Sequence, residues 1–386
     1  MHRPRISAVA LAAAALVAAT GAAGPSPKPT PTATPTATPS STPSSTPSAS
    51  PTQSDGTLQI LTYRGYAEYG GTSPRANWAG PFEKETGCRV ARLDTVGTPE
   101  EMAARLRERS YDVISAGPAL AAAMIAAKQV QPIDTAKIED YDDLAEPLRE
   151  LMTDPKTDTV HGVPFLWGSH EFLYDSRRVG GGDLAQVLGA ARVMLKDSPL
   201  TLADAALADD AVERPFELTA AQLDEAAERL AGHDDRTYWT NGLDLVKGFA
   251  TGSVDYAQAT PYYRLLLGKA KIPVKAVKTR KTTGWVDSWM LAANVTDTNC
   301  AYRWLSRMTK SGSQRDAAAW LGLAPANPQA CKGRAREVCT AYGVTTKSYR
   351  LDHIAFAVRP PGDCLPPDGE CTEYNAWTER WRELLK

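Results

Sequence analysis

Cysteine is missing from the start of this 386-residue chain, and all six cysteines lie at Cys88 or beyond. A lipobox cysteine near the N-terminus is thereby excluded. An excess of one charge is missing too: 43 Lys+Arg stand against 45 Asp+Glu, a net charge of −2. That balance argues against a protein held to nucleic acid by a basic surface. No long apolar run follows the first residues, which rules out a polytopic membrane protein. Histidine is scarce at five residues, and there is no H-E-x-x-H, no G-x-S-x-G elbow and no Walker A loop. His170-Glu171 lacks a second histidine one helical turn away, and Gly180-Gly181-Gly182 lacks the dinucleotide fingerprint and reads as a loop. There is no C-x-x-C, so the cysteines do not read as a metal cluster. The sequence calls for no enzyme, no cofactor and no metal, although Asp/Glu spacing leaves glycoside cleavage open.

What is there begins with an address. The basic start MHRPR, the Ala/Val/Leu-rich run Ile6–Thr20 and the small residues after it form a secretory signal over residues 1–24, ending at Ala23 or Gly24. An uncleaved anchor helix is the alternative. Residues 25–54 hold nine Pro, eight Thr and eight Ser, a composition that cannot bury enough apolar surface to fold. Extended at ~3.1 Å per residue, this tether could reach roughly 90 Å. The folded module is then Asp55–Lys386, working outside the cytoplasm, where six cysteines suggest up to three disulfides. Cys331–Cys339 and Cys364–Cys371 are the local pairs, leaving Cys88 with Cys300.

Along the module the pattern alternates. Leu58–Tyr63, Arg89–Val96 and Tyr111–Ser115 read as strands, and helices follow each of them. Gly87 caps the first helix, and Thr98-Pro99-Glu100-Glu101 opens the second. Such spacing predicts βαβ crossovers and a mostly parallel sheet. Further strands are expected within Gly162–Tyr174, Ser253–Ala259, Ile272–Val277 and Trp285–Asn294. Helices are expected at Thr219–Ala231, Cys300–Thr309, Gln314–Leu321 and Tyr374–Leu385.

Several phrases in order then resemble the bacterial extracellular solute-binding proteins of ABC importers, specifically the spermidine/putrescine-binding branch: LTYRGYAEY at Leu61–Tyr69, FEKETGCRV at Phe82–Val90, Tyr111–Ile114, VPFLWG at Val163–Gly168, WVDS at Trp285–Ser288 and the turn at Gly322–Pro328. The resemblance implies an α/β, two-lobe periplasmic-binding-protein-like (type II) fold with a hinge and an interlobe cleft. It places residues 55–167 in lobe one, 168–284 in lobe two and 285–386 back in lobe one. By motif it also implies the ligand positions Tyr66, Tyr69, Trp285 and Asp287, with Glu68 as a second acid and Trp167 near the cleft. The chemistry suits an organic ammonium, whose charge needs a carboxylate and whose stem needs aromatic faces. Trp285 lies two residues before Asp287 on a strand and so shares its face.

The departures from the family matter. Where the polyamine branch carries a further acidic pair in lobe two, the stretch Leu195–Thr201 offers Ser198 and Thr201, with Asp197 one residue early. Gln258–Pro261 replaces a lobe-two aromatic. A long diamine would leave one ammonium unpaired, a costly outcome if buried, so a smaller monocation or a zwitterion fits as well. The expected partners are a small amine or zwitterion and a membrane ABC permease, with no nucleic acid, and the expected state is a monomer. The alternatives are a wall-associated hydrolase on a flexible linker and a ligand-sensing protein without a permease.

Overall fold

Two β-sheets, each with its own apolar core, organise the chain. The computed structural model describes residues 56–71, 73–232, 235–295, 298–358 and 370–386. The signal and tether expected over residues 1–54 lie outside the described residues. So does Cys364, and with it the expected Cys364–Cys371 pair.

The first sheet begins as the sequence predicts, with parallel strands β1 (Thr57–Tyr63), β2 (Arg89–Val96) and β3 (Val113–Ala116). Gly87, with φ of 73°, ends the helix Ala79–Thr86, since only glycine adopts that turn without a Cβ penalty. Thr98 caps the helix Pro99–Glu108 by accepting from the Glu101 amide, while the Glu101 carboxylate accepts from Gly97 at 2.7 Å. A short edge strand β4 (Val130–Gln131) and a small hairpin, β5 (Thr153–Asp154) with β6 (Thr159–Val160), lead to β7 (Val163–Ser169).

From β7 the chain passes through His170 into β8 (Glu171–Asp175), the first strand of the second sheet. That sheet adds β9 (Val193–Lys196), β10 (Thr237–Trp239), β11 (Tyr256–Ala259) and β12 (Val274–Ala276), in the order β10-β9-β11-β8-β12. The chain then returns along β13 (Thr282–Ala292), which lies between β7 and β3. Strands β14 (Ala324–Pro325) and β15 (Ile354–Phe356) complete the first sheet. The predicted run Gly162–Tyr174 is thus two strands in two sheets, parted at His170.

The expectation of a mostly parallel sheet needs correction. β13 runs antiparallel to β3, β4 and β7, and β8 runs antiparallel to β11 and β12. The strands entering and leaving the second lobe are the ones that reverse. Crossover spacing could identify the βαβ units but not the direction of these return strands.

Each lobe buries its own aliphatic cluster. In the second, the helix Ala220–Leu230 turns Leu223, Ala226, Ala227 and Leu230 inward at helical spacing, behind a Thr219/Gln222 capping box. The last helix, Tyr374–Leu384, also packs here. Trp377 and Trp381 sit in the second core, and the Trp381 indole donates to Asp197 at 2.8 Å. The assignment of residues 285–386 to lobe one therefore does not extend to this helix. Its apolar face carries no signal of which sheet it covers.

Two disulfides have the expected pairing. Cys88–Cys300 joins the end of the helix Ala79–Thr86 to the helix Thr298–Thr309, and Cys331–Cys339 closes a local loop.

Candidate functional site

Strands β1 and β3 end side by side, and the residues just beyond their carboxyl ends converge with β13. In an open α/β sheet this is the edge where ligands are met. Tyr63 closes β1, and Tyr66 sits in the turn after it. Gly117 follows β3 and begins the helix Pro118–Ala126. On β13, Trp285 pairs in register with Gly168 and Asp287 with Leu166. A bulge then skips Phe165 before Ser288 meets Pro164. Bulges bend a strand and re-aim side chains, and this one lies at the acid.

Asp287 is buried at 6% exposure. Tyr66 Oη donates to its Oδ2 at 2.5 Å, and the Trp285 side chain also favours its charged form. A methyl group at Gly117 would stand 3.1 Å from Asp287 Oδ1, so the carboxylate lies directly against that backbone. Desolvation raises the Asp287 pKa to about 6, against the lowering effects of Tyr66, Lys196 and Trp285. The Tyr66 phenol is also pushed well up, by burial and by the negative charge beside it.

Tyr66 is held by aromatic packing. Ring centroids run edge-to-face from Phe82 to Trp304 at 5.0 Å and Trp304 to Trp289 at 5.5 Å. The row continues from Trp289 to Phe165 at 5.8 Å and Phe165 to Tyr66 at 5.6 Å. Such pairs add about 0.5–1.5 kcal/mol each beyond their buried area. The Trp78 indole also donates to the Tyr66 carbonyl at 2.8 Å.

The second lobe faces this cluster with a base. Lys196, the last residue of β9, places its Nζ 4.5 Å from the centre of the Trp285 ring. Its backbone is fixed on both sides: its amide donates to Gln258 Oε1 at 2.8 Å, and Thr201 Oγ1 donates to its carbonyl at 2.9 Å. Burial lowers the Lys196 pKa, while Asp287 and Asp204 oppose that. The other neighbour of Trp285 is His170, with ring centroids 5.1 Å apart. His170 Nδ1 lies 2.9 Å from Asp204 Oδ2 and 2.8 Å from Thr283 Oγ1. Asp204 also accepts from Gln258 and Thr283, each at 2.7 Å. One carboxylate thus ties both interlobe connections, at His170 and Thr283, to the second lobe.

Of the residues expected at a site, the structure brings together Tyr66, Trp285 and Asp287. The other three have surroundings of their own. Tyr69 is 41% exposed and donates to Glu83 at 3.1 Å. Glu68 is half-buried, with its backbone carbonyl accepting from Trp78 and Ala79, and burial raises its pKa. Trp167 is fully buried; its indole donates to Tyr349 Oη at 2.5 Å and to the Pro325 carbonyl at 3.2 Å, which makes it part of the first core. On β13 the partners of Trp285 and Val286 are Gly168 and Trp167, so adjacent residues of β7 point to opposite faces and only Gly168 lies beneath Trp285.

Sequence reasoning missed Tyr63, His170, Asp204 and, above all, Lys196. Lys196 lies within Leu195–Thr201, where the acidic pair of the polyamine branch is missing. A base ending an otherwise apolar strand, VMLK, was the available signal.

The comparisons fit this geometry. Residues 77–335 match the family model of the bacterial extracellular solute-binding proteins, and the chain belongs to that family. Its fold is shared by a spermidine/putrescine ABC transporter substrate-binding protein from Streptococcus pneumoniae. That structure has TM-score 0.64 and 17% identity, covering 85% of this chain and 97% of the other. A periplasmic binding protein from A. tumefaciens B6, solved with glucopine, gives TM-score 0.59 and 16% identity, covering 85% and 99%. A structure described as the Atu4243 GABA receptor gives 0.58 and 17%, covering 85% and 95%. The architecture is therefore the two-lobed one of substrate-binding proteins. Among the described residues no helix is long and apolar enough to cross a membrane.

Proposed function

We propose that this protein captures a small solute bearing an organic cation between its lobes, outside the cytoplasm, and delivers it to an ABC importer. The observation that carries the reading is Asp287. A carboxylate buried where the two lobes meet, with an aromatic face beside it, is an expensive arrangement that a bound cation would compensate. Tyr66 and Trp285 orient the acid, and Trp285 presents a ring to the solute's stem. Proteins of this fold are named for spermidine/putrescine transport and for GABA, and one was solved with glucopine, which supports a solute bearing an amine.

In this mechanism the solute enters an open cleft, bridges the lobes and shifts the equilibrium toward the closed form, which docks on the permease. The chain itself performs no chemistry. Its connections at His170 and Thr283, held by Asp204, are where bending would concentrate.

Thermal-shift screening against amines, amino acids, betaines and sugars tests the proposal. A solute at 100 times its dissociation constant adds about 2.7 kcal/mol of stability. The expected result is a cationic hit abolished in Asp287→Asn. A neutral sugar whose stabilisation survives that substitution refutes the assigned site.

A further inference from the structure

The second lobe meets the ring beside Asp287 with a lysine, and that bears on what the solute must carry. Lys196 Nζ lies over Trp285, the ring a free ammonium would use. Among the described residues Lys196 forms no ion pair within 4.0 Å, and Asp287 and Asp204 act on it only from farther away. The Asp204 carboxylate, the other acid within electrostatic reach, is already taken up by His170, Thr283 and Gln258. A group able to donate to an anion therefore stands over this indole from the second-lobe side, and an acid stands beyond it on the first.

A diamine fits this arrangement poorly. With one ammonium at Asp287, its second would approach an ammonium already held by the fold. The repulsion acts at low dielectric, where like charges interact strongly. An acidic group on the solute reverses the sign. It draws Lys196 away from the ring by pairing with it, and the vacated face accepts the solute's amine.

We infer that the solute is a zwitterion, an amino acid or amino-acid-like compound, whose carboxylate is received by Lys196 Nζ while its amine pairs with Asp287. This rests on the solute-capture reading above and names the chemical class of its ligand. Lys196 is then the specificity-determining residue. The interlobe bridge consists of two opposite charge pairs on one molecule, each lobe supplying one.

The test compares β-alanine, 4-aminobutyrate and 5-aminovalerate with the diamines 1,3-diaminopropane, putrescine and cadaverine, and with butyrate. Binding to the intact chain is measured by calorimetry. At least one amino acid is expected to bind while the diamine of matching length and butyrate do not. Lys196→Met should weaken that binding by about thirtyfold or more, as loss of one partner of a buried charge pair does. Its unliganded melting curve reports whether the variant is folded, and Lys196→Arg should retain part of the affinity. Diamine binding that is equal or tighter in the wild type and improves in Lys196→Met would identify Lys196 as a plug of the amine site. That result overturns the carboxylate site and leaves solute capture standing. Failure of every amine, amino acid, betaine and sugar to bind overturns both readings.

Discussion

Tyr66 and Asp287, 221 residues apart in sequence, share a 2.5 Å hydrogen bond in a setting where both are nearly inaccessible to water. The donor comes from the turn after the first strand and the acceptor from the strand that returns from the second lobe. Hydrogen bonds to charged groups contribute about 1.5–3 kcal/mol. Tyr66→Phe is expected to lose that much near neutral pH and distinctly less in mild acid, where Asp287 carries its proton. Urea unfolding of wild type and variant at the two pH values measures the difference.

Asp287 also sets a pH dependence of known sign. Its folded pKa of about 6 lies above its ordinary 3.8, so the folded state binds the proton more tightly than the unfolded state. Between these values stability falls as pH rises, and above about 6 the cost is constant. The whole effect is about 3 kcal/mol, at 1.36 kcal/mol per unit. Asp287→Asn should flatten this part of the profile and make the unliganded protein more stable near pH 7.5, while solute binding is lost. Denaturant midpoints collected from about pH 4.5 to 7.5 would contradict the assignment if the two profiles ran parallel.

Gly168 is the floor beneath Trp285. A Cβ there would stand 2.4 Å from the indole ring, far inside van der Waals contact. Gly168→Ala must displace the ring, at a cost of about 1–3 kcal/mol for overpacking. The expected phenotype is a folded protein with altered near-ultraviolet circular dichroism and much weakened solute binding.

Asp204 accepts from three side chains on three segments, His170, Gln258 and Thr283. Asp204→Ala strands all three in a buried region, each unsatisfied group costing about 1–3 kcal/mol. Relaxation should hold the total to about 3–5 kcal/mol, read by equilibrium unfolding. Small-angle scattering without solute should show a wider spread of lobe separations in this variant than in wild type.

The two disulfides should differ in worth. Cys88–Cys300 spans 212 residues and Cys331–Cys339 spans 8. On the chain-entropy account the long bridge contributes about 5 kcal/mol and the short one about 2–3 kcal/mol. Paired Cys→Ala variants, melted under non-reducing conditions, should rank in that order.

Much of the first lobe was legible because its signals are local. The Thr98 cap, the Gly87 stop and the alternation in Leu58–Tyr63 each act within a few residues, and the structure follows them closely. The cluster of Tyr66, Trp285 and Asp287 was legible only because a phrase carried each of them. Trp167 shares the aromatic character of those residues, but its facing is decided by strand pairing and by the bulge at Phe165, neither of which residue type encodes. Lys196 and Asp204 remained hidden for a related reason. Each acquires meaning from a neighbour on another segment, Trp285 in one case and Thr283 in the other, that only the folded chain brings near.

The last helix bears on how the second lobe keeps its interior dry. Trp377 and Trp381, from the far end of the chain, complete a core whose other residues lie mostly between Phe172 and Val277. A chain cut short before Tyr374 would leave that apolar surface open to water, so the second half of the molecule cannot finish folding until the last turn of sequence arrives.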